Sequence, residues 1–300
     1  MRIGMHRWLL LAVLAAGLLG SISAAAAEPL NVVATFSILQ DFVKQVGGGE
    51  VAVQALVPLG ADPHTWEPSP REAALLADAD LVVANGGGFD DWLLRLVRNA
   101  AKPGVPVLLV AEELGPAEGG GSHHGHDHGA DPHLWLSVPN AISYVETIAA
   151  FLAEVSPERA AVFAERSSAY IDELRALDAK LTQELGQIPP EQRVIITYHN
   201  AFSYFAERYG FAVVEFLVRN PDAEPNPRDL GRLVGLLQRL EKPAVFSEPQ
   251  LTSGARYLEA LARDAGAEVY VLFSDSLTAE VPTYVQMMEY NLRVLMEALR

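Results

Sequence analysis

Short apolar runs alternate with segments of helical periodicity along most of the chain. The runs are rich in Val and Ile and predict buried strands, whereas the segments between them predict amphipathic helices. This alternation is typical of parallel βαβ units in an α/β fold. The predicted strands are Leu30–Thr35, Val51–Val57, Leu81–Ala84, Val105–Val110, Val194–Thr197, Ala212–Phe216, Ala244–Ser247 and Val269–Leu272.

One predicted helix is much longer than the others. It begins at Pro157 with Ser156 as its N-cap, and it continues to about Gln187. At a rise of roughly 1.5 Å per residue it would be about 45 Å long. It could belong to a helical bundle, but we interpret it as a rigid spine between two lobes. Its predicted apolar stripe is Val162, Tyr170, Ile171, Leu174, Leu177 and Leu181.

The chain is predicted to divide into four segments. They are a signal peptide at 1–27, an N-terminal α/β lobe at 28–155, a linking helix at 156–188 and a C-terminal α/β lobe at 189–300.

Residues 1–27 have the composition of a secretory signal peptide. Arg2 and Arg7 precede an apolar run, and the small residues Ala24–Ala27 suit cleavage after Ala27. The chain contains no Cys, which excludes disulfides, thiolate ligands and a lipid-carrying Cys. We therefore expect a soluble, monomeric protein that is free in a periplasm. The net charge of −16 disfavours nucleic acid and is compatible with a cationic ligand.

The pattern Asp-Pro-His-x-Trp occurs twice, at 62–66 and at 131–135. Proline fixes its own φ and pushes the preceding Asp toward an extended conformation, so each His is presented from a stiff turn. Neutral imidazole is the commonest metal ligand in proteins. We therefore interpret His64 and His133 as metal ligands, with Trp66 and Trp135 as aromatic shields beside them.

The second lobe contributes further candidates just after its predicted strands, where α/β folds bind their ligands. His199, flanked by Tyr198 and Asn200, would be a third imidazole, and Asp275 is the favoured carboxylate of a tetrahedral N/O site suited to Zn²⁺. Two ligands would then come from each lobe. Glu248 could orient a histidine or replace Asp275 as ligand. The structural alternatives are a strand-end His199 bonded to backbone and an Asp275 that caps a helix.

A His-rich tract lies in the predicted loop 116–130. It carries half of the eight histidines of the chain, and its composition suggests loose metal capture. The alternative is an incidental low-complexity loop. The candidate ligands of this auxiliary site are His123, His124, His126 and His128.

Taken in order, these motifs resemble the zinc and manganese receptors of ABC importers, the cluster A-I metal-binding proteins. The resemblance covers essentially the whole chain after the signal peptide. It implies two four-stranded α/β lobes joined by one long helix, with the metal held between them and delivered to a membrane permease powered by an ATPase. Its motifs are the two Asp-Pro-His copies, Tyr198–Phe202, Phe246–Gln250 and Phe273–Asp275, and the ligands it implies are His64, His133, His199 and Asp275.

The resemblance also bears on the metal. Manganese members generally carry Glu at the third ligand position, so His199 favours zinc, and imidazole suits zinc better than manganese. We expect a Zn²⁺ receptor without enzymatic activity, which docks at the membrane through the permease and could receive metal from a periplasmic zinc metallochaperone. The alternatives are a manganese receptor, a zinc buffer without an importer, and a secreted zinc hydrolase with an open three-His site and Glu248 as its base.

Overall fold

The protein is described by a computed structural model that covers residues 28–114, 131–219, 221, 223–251 and 254–300. Two four-stranded sheets organise this part of the chain, and every strand pair in both sheets is parallel. The predicted fold class is therefore confirmed, with two α/β lobes and one long helix between them.

The first lobe has the strand order β2-β1-β3-β4. Its central strand β1 is buried along most of its length, as expected for a parallel strand with helices on both faces of the sheet. The elements are β1 (Leu30–Ala34), α1 (Ser37–Gly47), β2 (Val51–Ala55), α2 (Pro70–Asp78), β3 (Leu81–Ala84), α3 (Asp91–Ala100), β4 (Val107–Leu109), α4 (Val110–Glu113) and α5 (Val138–Val155). The helix α4 and a 3₁₀ turn at Leu134–Leu136 were not predicted.

The long helix is α6 (Ala160–Leu185), and it packs against α1 and α5. Its start differs from the prediction, because Pro157–Arg159 forms a 3₁₀ turn and Ser156 makes no capping bond to a backbone N–H. With 26 residues, the helix is about 39 Å long. The predicted stripe is wrong at Val162, which is 41% exposed, while the next residue, Phe163, is fully buried.

The second lobe repeats the arrangement with the strand order β6-β5-β7-β8. All six residues of its central strand β5 are buried, whereas the edge strand β8 is largely exposed. The elements are β5 (Val194–His199), α7 (Ser203–Tyr209), β6 (Val213–Val218), α8 (Pro227–Leu237), β7 (Ala244–Ser247), α9 (Ala255–Ala265), β8 (Glu268–Val271) and α10 (Tyr284–Leu299).

One hydrophobic core runs continuously from the first lobe into the second. It includes Phe42 of α1 and Tyr284 of α10, whose ring centroids are 4.9 Å apart. The helix α10 also packs against α6, so residues near the C-terminus help to join the lobes. Within the described ranges, no helix is both long enough and apolar enough to cross a bilayer.

Candidate metal centre

The four predicted ligands come together between the two sheets. His64 lies in the loop between β2 and α2, His133 precedes the 3₁₀ turn at Leu134–Leu136, His199 ends β5, and Asp275 follows β8. One ligand atom from each residue lies within 4.8 Å of the others. Three of these side chains are buried, and the His64 side chain is 14% exposed, so the cluster has one narrow contact with solvent.

The spacing of the ligand atoms suits a small divalent ion. The Nε2 atom of His133 lies 3.2 Å from that of His64 and 3.3 Å from that of His199. The carboxylate of Asp275 approaches His199 Nε2 at 3.2 Å through Oδ2 and His133 Nε2 at 3.4 Å through Oδ1. Tetrahedral coordination with metal–nitrogen bonds of about 2.0–2.1 Å separates two ligand atoms by about 3.3–3.4 Å.

The hydrogen bonding of Asp275 also indicates that the cluster suits a divalent ion. Its Oδ1 atom is buried and has no hydrogen-bond partner among the described residues. A buried polar atom without a partner is costly, by about 1–3 kcal/mol or more for a charged group. A cation held among the three imidazoles would give this oxygen its partner, so the residues fit a divalent metal.

The repeated motif is built on an Asp side chain that bonds the backbone two residues later. Asp62 Oδ1 accepts the His64 N–H at 2.9 Å, and Asp131 Oδ1 accepts the His133 N–H at 3.0 Å. In the second copy, Asp131 Oδ1 also lies 2.7 Å from His133 Nδ1. A carboxylate only accepts hydrogen bonds, so in the neutral form that can bind a metal the His133 ring has its proton on Nδ1 and a bare Nε2 facing the site.

Glu248 performs the same role for His199. Its Oε2 atom lies 2.9 Å from His199 Nδ1, and it also accepts the Ser274 hydroxyl at 2.6 Å and the Gln250 amide at 2.9 Å. Because these contacts occupy the Glu248 carboxylate, it orients His199, whereas Asp275 is the acid inside the ligand cluster. The sequence did not assign roles to Asp131, Gln250 or Ser274, although all three stand within the motifs.

The aromatic shields match the prediction in only one copy of the motif. The Trp135 ring lies 5.2 Å from His133, and its indole N–H donates to the Ser274 carbonyl at 2.8 Å. Trp66 packs instead on Trp92, with the ring centroids 5.2 Å apart. The ring against His64 is Phe89, at 4.6 Å, and the sequence gave no local signal for it.

The residues that flank His199 in sequence face elsewhere. Successive residues of a strand point to opposite faces, so Tyr198 packs into the core of the second lobe, where its hydroxyl donates to the Ala223 carbonyl at 3.3 Å. Asn200 accepts the Ser203 hydroxyl at 3.3 Å. Neither residue takes the predicted place beside the metal ligands.

Two structural alternatives from the sequence are wrong. The ring of His199 is not bonded to backbone at the strand end, because its nitrogens face Glu248, His133 and Asp275. Asp275 does not cap a helix, since α10 begins at Tyr284 and its cap is the Thr283 hydroxyl. The predicted auxiliary ligands His123, His124, His126 and His128 lie outside the described residues.

Charge interactions dominate the titration of the site. Burial alone would lower the pKa of His199, but the carboxylates of Glu248 and Asp275 hold that pKa well above its usual value. Burial would raise the pKa of Asp275, yet the imidazoles of His199 and His133 hold it well below its usual value. In the metal-free protein, the cluster therefore favours a protonated His199, and a metal ion must displace that proton.

A family comparison decides the class of protein. The sequence profile of the ZnuA family, described as "Zinc-uptake complex component A periplasmic", matches residues 32–298. The chain belongs to this family. Members of the ZnuA family are metal-binding receptors of ABC importers, so the resemblance to cluster A-I is confirmed. The protein is accordingly a divalent-metal receptor from a family of transport proteins, not of enzymes, and its family implies a permease and an ATPase as partners.

Individual relatives differ in the metal that their names give. The chain is 33% identical to "Manganese-binding lipoprotein MntA" of Halalkalibacterium halodurans, over 91% of this chain and 89% of the relative. It is 32% identical to "Iron-binding protein YfeA" of Yersinia pestis, over 87% of this chain and 83% of the relative. A solved structure, "Crystal structure of ZnuA", superposes with a TM-score of 0.76 at 27% identity, covering 91% of this chain and all of that one.

The relatives correct the expected location. The signal sequence and the absence of Cys predict a protein that is free in a periplasm. The Halalkalibacterium halodurans relative is named a lipoprotein, as are several streptococcal relatives, and a lipoprotein is attached to a membrane. The deduction of an unanchored periplasmic protein from the signal sequence and the missing Cys was therefore wrong.

Proposed function

We propose that this receptor binds one Zn²⁺ ion between its lobes through His64, His133, His199 and Asp275 and delivers it to the permease of an ABC importer. The observation that carries the proposal is the buried group of three Nε2 atoms and one carboxylate at the spacing of a tetrahedral site. A donor set with three imidazoles suits zinc, whereas manganese prefers more oxygen ligands.

The site is built to hold a metal rather than to use one in catalysis. Catalytic zinc keeps a position open for water, whereas four protein ligands close the coordination sphere. The suspected base of a hydrolase, Glu248, is buried and already bonded to His199, Ser274 and Gln250. These contacts argue against the hydrolase alternative.

A manganese receptor is the second candidate. It is favoured by the name of the Halalkalibacterium halodurans relative, which is 33% identical over most of both chains. The iron in the name of the Yersinia pestis relative widens the range of divalent metals to be compared. The relative affinities for zinc, manganese and iron distinguish the two candidates.

The test is a competition titration of the purified protein with Zn²⁺, Mn²⁺ and Fe²⁺ against a chromophoric chelator. We expect one tight zinc equivalent and much weaker manganese binding, with large losses of zinc affinity in His199→Ala and Asp275→Ala. Asp172→Ala is the control, because Asp172 is an exposed residue of α6 paired with Arg175 at 3.0 Å.

A further variant separates the two predicted sites. Changing His123, His124, His126 and His128 to Ala removes the auxiliary site and should leave the tight zinc equivalent in place. Tighter binding of manganese than of zinc would instead identify a manganese receptor. Full zinc affinity in both His199→Ala and Asp275→Ala would contradict the proposed ligand set.

A further inference from the structure

The side chain of Gln250 is a buried amide beside the carboxylate ligand. It follows β7, is 5% exposed, and places its nitrogen 2.8 Å from Ser274 Oγ, 2.9 Å from Glu248 Oε2 and 3.3 Å from Asp275 Oδ2. Two of these acceptors are carboxylate oxygens, which cannot donate, so the NH₂ end of the amide must face them. The orientation of Gln250 is thus fixed by the chemistry of its neighbours.

The two oxygens of Asp275 both face the histidines. Oδ1 lies 3.4 Å from His133 Nε2, and Oδ2 lies 3.2 Å from His199 Nε2 and 3.6 Å from His64 Nε2. The Gln250 amide has two N–H groups for three acceptors. Ser274 Oγ and Glu248 Oε2 lie only 2.6 Å apart, so one N–H is shared between them and the other faces Asp275 Oδ2, whereas Asp275 Oδ1 has no hydrogen-bond partner in the described part of the chain. An N–H on a carboxylate oxygen is a charge-assisted bond that occupies one of the two lone pairs of that oxygen and makes it a weaker metal ligand than its neighbour.

We propose that Gln250 is a positioning residue that makes Asp275 a one-oxygen ligand through Oδ1, and that it thereby favours four-coordinate metals over metals that take more oxygen ligands. The inference rests on the proposed function. Zinc in closed protein sites is four-coordinate. Manganese prefers additional oxygens, which a two-oxygen Asp275 would supply.

The nitrogen end of the Gln250 amide is held in a hydrogen-bonded network, whereas its Oε1 atom is buried and has no hydrogen-bond partner among the described residues. The Ser274 hydroxyl donates to Glu248 Oε2 at 2.6 Å, so Ser274 Oγ can accept from the Gln250 amide. Glu248 in turn contacts the ring of His199. One buried polar network therefore fixes both metal ligands that the second lobe contributes, and Gln250 is the member that touches Asp275.

The test compares Gln250→Met with the wild-type protein. The Met side chain is close to that of Gln in length but has no N–H group. The preference for zinc over manganese, measured by chelator competition, should fall about tenfold, a loss comparable to one hydrogen bond to a charged group. Gln192→Met is the matched control, because Gln192 is also 5% exposed but lies before β5, at the opposite end from His199.

A spectroscopic readout distinguishes coordination from loosened packing. Tetrahedral Co²⁺ absorbs visible light more strongly than five- or six-coordinate Co²⁺, so Co²⁺-loaded Gln250→Met should absorb more weakly than the wild-type and Gln192→Met proteins. Gln250→Leu, a smaller apolar replacement, should give the same changes and serves if the Met variant does not fold.

The outcomes separate this inference from the proposed function. A wild-type protein that binds zinc tightly, together with Gln250 variants of unchanged metal preference and unchanged Co²⁺ absorption, would overturn the role of Gln250 and leave the receptor proposal intact. A wild-type protein that binds no divalent metal would overturn both.

Discussion

The substitution Glu248→Gln tests how far the zinc affinity of the site depends on the carboxylate beside His199 Nδ1. Glu248→Gln removes one negative charge from the Nδ1 side of His199 and keeps the size of the side chain. The carboxylate that is lost lies 2.9 Å from His199 Nδ1 and is only 1% exposed, so water cannot replace it readily. Loss of the carboxylate behind a metal-binding histidine typically lowers metal affinity about 10–100-fold, which is about 1.4–2.8 kcal/mol.

The effect should depend on pH in a defined direction. In the metal-free wild-type protein, burial opposes the charge on His199, but Glu248 and Asp275 outweigh burial and hold the pKa of His199 well above its usual value. A protonated imidazole cannot bind metal, so wild-type affinity falls as pH decreases below that raised pKa. Removing the charge of Glu248 lowers the pKa of His199, and proton competition in the variant therefore begins at a lower pH.

The two proteins should differ most at high pH, where His199 is neutral in both. There Glu248→Gln should bind zinc about 10–100-fold more weakly. As pH falls, the wild-type protein loses zinc affinity first, so the difference in zinc affinity between the two proteins should become smaller. The assay is zinc competition over a pH series, with Glu215→Gln as control, since Glu215 pairs with Arg232 on the surface of the same lobe. Affinity curves that run parallel at every pH would refute the argument.

Three further predictions concern stability. Asp41→Ala leaves the Tyr284 N–H, now bonded at 2.7 Å, without its buried acceptor at the start of α10, and should lower the free energy of unfolding in urea by about 1–3 kcal/mol; an unchanged urea midpoint would contradict it. Phe163→Ala should cost about 3–5 kcal/mol by the same measurement, whereas Val162→Ala, on the exposed side of α6, should cost much less. Zinc at about 1,000 times its Kd should raise the free energy of unfolding by about 4 kcal/mol in calorimetry, and EDTA should reverse the gain.

The sheets were predictable because their strands are buried on both faces. An all-apolar run such as Leu81–Ala84 has no other stable place in an α/β fold, and its observed bounds equal the predicted ones. The start of α6 was not predictable, because a tertiary contact sets it. Arg159 donates to the carbonyls of Glu28 at 2.7 Å and Glu50 at 2.9 Å, and these bonds hold the 3₁₀ turn that replaces the expected cap.

The clustering of the four candidate ligands was predictable for a different reason. Asp-Pro-His turns and polar residues after parallel strands are local features that place their side chains at one edge of a sheet. The surroundings of the ligands are not local. Trp66 and Trp135 occupy the same position in the two copies of Asp-Pro-His-x-Trp, yet only Trp135 packs on its histidine, because the corresponding place beside His64 is filled by Phe89 from the loop after β3.

Asp275 follows a strand of the second sheet, but its neighbours are bonded to both halves of the chain. His199 and Asp275 both belong to the second half of the sequence, which suggested two ligands per lobe. The backbone around Asp275, however, is bonded to the first half: the Ser274 carbonyl accepts the Trp135 indole N–H at 2.8 Å, and the Leu277 N–H donates to Ser37 Oγ at 2.8 Å. The same segment is also bonded to the second lobe, because the Leu272 N–H donates to the Ser247 carbonyl at 2.8 Å and the Gln250 amide lies 3.3 Å from Asp275 Oδ2. Asp275 is therefore held by both lobes. His199 stands on the second sheet, where it contacts His133 and Asp275 directly, and the network of Glu248, Ser274 and Gln250 adds a hydrogen-bonded connection between His199 and Asp275.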